Sequence, residues 1–505
     1  MKLFKPLFLV IAFSIIACGM EAQNRNSIWC FGDSASIDFS SGIATPISSG
    51  MDGRGSCASI ADESGNLLFY AATMPAYSAT LAYSTLVYDR NHTVMQNGDS
   101  IFGKAWYQEL VIVPNPANDS TYYLFSAGVS GNDFGLMYSL IDMRLNGGFG
   151  EVTFKNVQLQ SFAVVDCINA VKHANGRDWW LLFRKNDYPG ANNDWHSYLI
   201  TPSGIQNYSI QSIGVDNVTG GGHTAFSKDG SKIAFTNWAD VVELYNFDRC
   251  TGLLSNPITI EEDPGMAPYL LTWSCEFSPD ASKLYVSTNA TPSYLFQYDL
   301  NAANITASKV MIWSIDTLTS VLGTLELGPD NKIYLCNQYY NGFNTPYPYP
   351  DSVYNVVNMN LSVINFPDSL GLACDFQPFS FYMGGKRAYK GLPNNPDYDL
   401  PALTGSPCDT LVSQNELAGV AAVGSLHVYY HTAWEKAFIN ASNLKGKTGM
   451  LMVYDMQGKG VHSEPLRIQN GYFTRDLLMI GYAKGMYLIT IQTEKERLTK
   501  KMLVE

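Results

Sequence analysis

Two carboxylates and one imidazole in this chain sit where chemistry could be done. Aligning Phe226, Phe277 and Leu327 as equivalent places Ala225, Glu276 and Glu326 in one register of a recurring motif, so Glu276 and Glu326 are expected in a common ring of side chains. Carboxylates held that close raise one another's pKa, bind a cation, or act as acid and base in sugar hydrolysis. His223 follows Gly220-Gly221-Gly222 just ahead of the same motif and is a third candidate, as a base. Glu109, Asp166 and His173 fall at comparable strand ends. For each of these groups the commoner fate is a solvated position or a bond to a backbone amide. No Gly-x-Ser-x-Gly elbow, His-Glu-x-x-His helix or phosphate loop is present, so catalysis stays open with a lean towards none.

The elements that must position these groups repeat. Ala225 to Phe235, Cys275 to Ser287 and Leu325 to Leu335 each read as a short apolar run, a tight turn of Pro, Asp, Gly or Asn, then Lys and an alternating apolar run. That pattern predicts a β-hairpin, because the turn residues tolerate positive φ and a period of two suits a strand. Weaker copies stand at 62–70, 118–125 and 175–182. With Leu67, Tyr122, Trp179, Ile233, Leu284 and Ile333 taken as equivalent, the intervals are 55, 57, 54, 51 and 49 residues. A four-stranded propeller blade takes about 40–50 residues, so each interval holds one blade and a loop. The expected fold is all-β: a six- or seven-bladed β-propeller of WD40/YVTN-like repeats, seven favoured, over residues 23–395. Pairing early strands with late ones in one blade would close the ring and remove the exposed edge.

Ahead of the propeller, Lys2 and Lys5 precede an apolar run from Leu7 to Ala17, too short to span a bilayer, which predicts a signal peptide over residues 1–22. Ile15-Ile16-Ala17-Cys18-Gly19 also fits a lipobox, which would lipidate Cys18 instead. No other stretch is a transmembrane candidate. Eight further cysteines, none in a Cys-x-x-Cys pair, permit disulfides without fixing their connectivity and speak against zinc. No metal and no cofactor is expected. Prolines and small polar residues over 396–425 read as a linker. Residues 426–505 carry eleven Lys and Arg against seven Asp and Glu; with −13 for the whole chain, the remainder is at −17. An acidic body with no basic stripe argues against nucleic acid.

Two loops carry possible ligand groups. Asn186 to Trp195 combines oxygen ligands with a turn but lacks the spacing of a calcium loop, so a plain turn is expected. From Asn337 to Tyr354 the prolines Pro346, Pro348 and Pro350 preclude a regular strand, and Tyr339, Tyr340, Phe343, Tyr347 and Tyr349 offer flat faces with polar tips, suited to sugar stacking or a protein partner.

The last 80 residues read as a small antiparallel β-sandwich, with strands at Met450–Asp455, Gly485–Thr493 and Glu496–Val504. Through Val453-Tyr454-Asp455 and Gly458, the Gly485-Met486-Tyr487 strand and the terminal Lys500-Lys501-Met502-Leu503-Val504, this tail resembles the type A C-terminal sorting domain of cargo exported by the type IX secretion system of Bacteroidota. The resemblance implies passage across the outer membrane and removal of the tail by a surface sortase, leaving the cargo released or attached to the surface. The secretion machinery and sortase are the implied partners, and Tyr454, Asp455, Gly458, Gly485, Tyr487, Lys500 and Lys501 the implied signal. Gly55 to Asp62, Gly65 to Tyr70, Cys275 to Asp280, Leu327 to Asp330 and Gly391 to Asn394 are similar to the propeller region of large secreted Bacteroidota proteins of the gliding-motility or sorting-domain type. Many of those end in a longer type B domain, so a role in motility does not carry over. The expected function is non-enzymatic recognition or adhesion at the cell surface with a carbohydrate or protein ligand. The alternative is a secreted glycan hydrolase or lyase that uses the channel carboxylates.

Overall fold

The computed structural model describes residues 24–74, 84–104, 106–129, 135–217, 219–262, 269–317, 319–339, 353–409, 424–431, 435–468 and 471–504. Seven antiparallel sheets follow one another along the chain, the first two of three strands and the other five of four. The hairpins stand where the repeat places them: Leu67, Trp179 and Ile333 open the second strands of their sheets, and Tyr122, Ile233 and Leu284 lie one residue inside theirs. The turn chemistry is also repeated. Ser227 and Ser278 donate their amides to Lys232 and Lys283 carbonyls, as Gly328 does to Lys332, and the residue at the bend has positive φ in all three copies, Gly230 at 70°, Ala281 at 54° and Asn331 at 62°. A left-handed bend of this kind is cheapest for Gly and Asn.

Each sheet is one blade of a seven-bladed propeller, and the apolar cores lie between blades. Ile233, Phe235 and Tyr245 of the fifth blade pack on Trp180, Leu182 and Trp195 of the fourth, and Trp195 meets Tyr245 edge-on at 5.5 Å. The seam between last and first blades is aromatic, with Tyr334 against Trp29 at 5.7 Å and Phe39 at 5.6 Å. Burial of such rings is the main stabilising term of each seam.

The first blade shows how the ring closes. Its strand Ile28–Phe31 pairs with Asp33–Asp38 on one side. On the other side runs the late segment 387–395, antiparallel to it: Asp33 and Arg387 exchange backbone hydrogen bonds, and Asn395 Nδ2 donates to Asn26 Oδ1 at 2.8 Å. Thr324 of the seventh blade donates to the Lys390 carbonyl and Asn394 donates to Cys57 of the second, so the segment occupies the innermost strand position between them. Early and late chain thus complete one blade, as ring closure requires. Gly391 has to be glycine here, because a Cβ would stand 2.0 Å from the Gly55 carbonyl oxygen.

Residues 387–396 are buried, and the chain stays on the propeller beyond them. Tyr398 packs edge-on against Trp179, the Pro401 carbonyl accepts from Arg249, and Cys408 forms a disulfide with Cys250 in the turn after Val242–Asp248. Cys30, Cys57, Cys167, Cys275, Cys336 and Cys374 are buried free thiols. The stretch from Asn186 is an inter-strand turn, with Asn186 Nδ2 donating to the Val129 carbonyl.

The C-terminal domain is a two-sheet sandwich, Ser425–His431, Lys436–Ser442 and Phe473–Leu478 facing Thr448–Asp455, Gly460–Arg467, Gly485–Thr493 and Arg497–Val504. Asp455 turns the chain by accepting the amides of Gln457 and Lys459, with Gly458 at φ 78°. Tyr454 and Asp455 lie opposite Leu488 and Tyr487, and Tyr487 Oη donates to the Ala483 carbonyl at 2.7 Å. Gly485 pairs with Val504, and Lys500 and Lys501 point to solvent from the last strand. Tyr472 reaches the third blade and meets Phe154 edge-on at 5.5 Å. Among the described residues no helix is long and apolar enough to cross a membrane.

Candidate functional site

The central channel is interrupted part-way along its length. Gln108 in the third blade accepts the Thr224 amide on Oε1 (2.8 Å) and donates from Nε2 to the Thr224 carbonyl (2.8 Å) and to Asn394 Oδ1 (3.2 Å). Thr224 belongs to the fifth blade, so these bonds reach past the fourth and cross the channel. Asn394 Nδ2 donates to the carbonyls of Leu110 and Ile168, both at 2.8 Å, and Asn169 Nδ2 donates to Thr224. These amides spend their capacity on one another and on backbone, which buried polar groups require.

Below this floor, at the C-terminal ends of the inner strands, lies a cavity of about 350 Å³ whose lining includes His223, Glu276, Glu326, Asn169, Lys228 and Asp397. The residues singled out in the sequence therefore meet. Glu276 and Glu326 hold equivalent register positions on neighbouring inner strands, opposite Tyr285 and Tyr334. The Glu276 carboxylate accepts the Phe277 amide at 2.7 Å and the Leu327 amide at 3.2 Å. Burial still pushes its pKa up against those two bonds. Glu326 is raised well above the carboxylate range by burial first and by the Glu276 charge second. Two carboxyls withdrawn into one cavity, Glu276 buried and Glu326 partly so, do not both ionise, so the pair holds a proton near neutral pH.

His223 is 5% exposed, and burial lowers its pKa to about 3, which keeps it neutral. Its Nε2 lies 3.4 Å from Ser274 Oγ, which already accepts the Leu325 amide at 3.0 Å, and its Nδ1 has no partner among the described residues. The other sequence candidates are absorbed by structure. Glu109 accepts the Lys104 amide on both oxygens, Asp166 accepts the Tyr107 and Gln108 amides, and the His173 ring contacts the Cys250 carbonyl on the rim. Gln108 and Asn394, which build the cavity floor, escaped the sequence reading, because nothing in an isolated amide signals a bond across a ring.

The opposite mouth is aromatic. Trp238 stacks between Trp106 and Trp273, Tyr107 meets Trp273 edge-on at 4.4 Å, and the buried Lys390 ammonium lies 4.4 Å over Trp273 while donating to Asn289 Oδ1. Tyr339 ends its strand on this side, paired with Ser320 and far from Glu326. Tyr340, Phe343, Tyr347 and Tyr349 lie outside the described residues. No group of three His, Cys, Asp or Glu poised for a metal occurs among the described residues.

The fold and tail together define an exported β-propeller protein. Residues 434–505 match the family described as a secretion system C-terminal sorting domain, the region expected from the tail sequence. The chain carries a type IX sorting tail and is exported to the cell surface or the extracellular space. No curated protein sequence matches it. Among solved structures, a candidate 6-phosphogluconolactonase of Bacteroides uniformis is 16% identical with a TM-score of 0.42, covering 66% of this chain and 91% of its own. A periplasmic gluconolactonase of Pseudomonas aeruginosa is 10% identical with a TM-score of 0.36, covering 81% and 99%. The propeller domain of Cps50 (Swd1) from Myceliophteria thermophila is 10% identical with a TM-score of 0.35, covering 62% and 93%. Likeness at this level carries no argument about activity.

Proposed function

We propose that this protein is an exported recognition module that binds a carbohydrate unit in the cavity of Glu276, Glu326 and His223. One observation carries the reading. The amides around the cavity are spent on closing the channel, while among the described residues one side-chain nitrogen of His223 and the Glu326 carboxyl have no hydrogen-bond partner, and both converge with Glu276 on a space the size of a small polar ligand. Carboxyl oxygens accept from vicinal hydroxyls, and an imidazole N–H donates to a ring or hydroxyl oxygen. Tyr339, on the other face, is proposed to begin a second contact surface with Tyr340, Phe343, Tyr347 and Tyr349, the last four outside the described residues.

A second reading, cleavage of the bound glycan, is favoured by the proton held between Glu276 and Glu326, since a carboxyl kept protonated near neutral pH can serve as a general acid. One experiment separates the two. The whole chain is applied to a glycan array and both retention and cleavage are scored, with Glu276→Gln, Glu326→Gln and Tyr339→Ala beside it. Retention without cleavage, weakened at least tenfold by the glutamine changes, supports recognition in the cavity. Cleavage abolished by the same changes replaces recognition with catalysis, and retention lost only with Tyr339→Ala moves the ligand to the opposite face.

A further inference from the structure

The hydrogen-bonding and charge inventory of the cavity narrows the ligand. Ser274 Oγ accepts the Leu325 amide and still has one proton and one lone pair, either of which meets His223 Nε2. The neutral imidazole presents Nδ1, which has no partner among the described residues and donates or accepts according to tautomer, in a side chain 95% withdrawn from solvent. Glu276 and Glu326 supply acceptors beside it. The other charged groups on the lining are Lys228, Asp397 and Asp399. Lys228 Nζ is engaged by Asn331 Oδ1 at 2.6 Å, and Asp399 is paired with Arg25 at 3.3 Å. The cavity therefore offers two carboxyls with no ion-pair partner among the described residues, and one imidazole nitrogen, while Lys228 keeps its charge at an exposed position on the lining.

Building on carbohydrate binding in this cavity, we infer that the ligand is an amino sugar with a free ammonium, seated between Glu276 and Glu326, with one of its oxygens accepting from His223 Nδ1. The ammonium supplies the charge that the carboxyl pair otherwise borrows from a proton. Binding then reads as exchange: Glu326–COOH and R–NH3+ give the Glu326 carboxylate paired with R–NH3+, and one proton leaves to solvent. No bond of the sugar is broken.

The test is calorimetric titration of the whole chain with the glucosamine tetramer and with its fully N-acetylated counterpart, at pH 6.5 in two buffers of different ionisation enthalpy. The glucosamine tetramer is expected to bind at least tenfold more tightly, with release of close to one proton and affinity rising from pH 6 to 7. Glu326→Gln is expected to abolish the proton release. His223→Gln is expected to weaken binding about tenfold and keep the release, which preserves the test should the glutamate variant fold poorly. Equal binding of both tetramers, or binding with no proton released, overturns the ammonium assignment and leaves carbohydrate recognition standing. Failure of both tetramers, together with failure of every neutral glycan on the array, overturns both.

Discussion

At the residue scale the molecule keeps ionisable groups inside and sets their protonation by burial. Glu276 and Glu326 have pKa values raised above those of an unfolded chain, so the folded state binds more protons than the unfolded one between about pH 4.5 and their folded values. The stability they confer is complete in acid and is lost as pH rises through that window. Glu326→Gln is therefore expected to raise Tm at pH 8 and to leave it nearly unchanged at pH 5, measured by thermal denaturation across pH. Lys390 has the opposite sign. Burial lowers its pKa to about 7, so between pH 7 and 10 the unfolded chain binds the extra proton, and stability grows as pH rises. Lys390→Met is expected to flatten that rise, which the difference in Tm between variant and parent from pH 7 to 9.5 will read. The Glu pair was legible beforehand because it lies on a repeat, and a repeat fixes register. His223 Nδ1 as an unspent nitrogen was not, because the partner of its other nitrogen, Ser274, lies on the neighbouring inner strand.

At the element scale the closing strand is the most consequential piece, and it was the least readable. Residues 387–395 have neither the alternation nor the β-branched residues of a strand. Pro393 and the two asparagines after it also suit a linker, and a strand held by side-chain amides as well as backbone shows no period of two. The hairpins were readable for the converse reason, since turn residues and alternation agree locally. Asn394 concentrates the dependence, because its side chain satisfies two carbonyls and one amide while its backbone holds Cys57. Asn394→Ala leaves those partners buried and unpaired, at about 1–3 kcal/mol each before relaxation. A loss of at least about 2 kcal/mol in urea denaturation is expected. Breaking the Cys250–Cys408 bond, which closes a separation of 158 residues, is expected to cost up to about 5 kcal/mol on the chain-entropy account. Cys408→Ser should also expose the stretch around 400–409 to limited proteolysis, which mass mapping of the fragments will show.

At the scale of the whole molecule, export and binding are built as separable parts. The sandwich has its own core around Ile439, Leu451, Val453, Ile489 and Ile491, and the contact of Tyr472 with Phe154 adds one aromatic edge to the third blade. A chain ending at residue 409 is expected to melt within a few degrees of the full-length protein by calorimetry, and to remain in the cell when expressed in its host. Loss of the propeller transition on truncation would show instead that the tail stabilises the ring. Fold class and destination were both legible because each rests on local pattern repeated or clustered in sequence. The cavity floor was not, because Gln108, Thr224 and Asn394 meet only once the ring has closed.

The disulfide at Cys408 also sets a load path. A surface protein held by its C-terminal end and pulled by whatever it binds takes tension through the chain after residue 409. Without a crosslink that tension would strip the contacts of Pro401 and Tyr398 first and then reach the innermost strand of the first blade and peel it from the ring. With Cys408 bonded to Cys250, the force passes sideways into the rim of the fifth blade, and the strand that keeps the propeller shut carries none of it. The clasp of the ring is mechanically insulated from the tether.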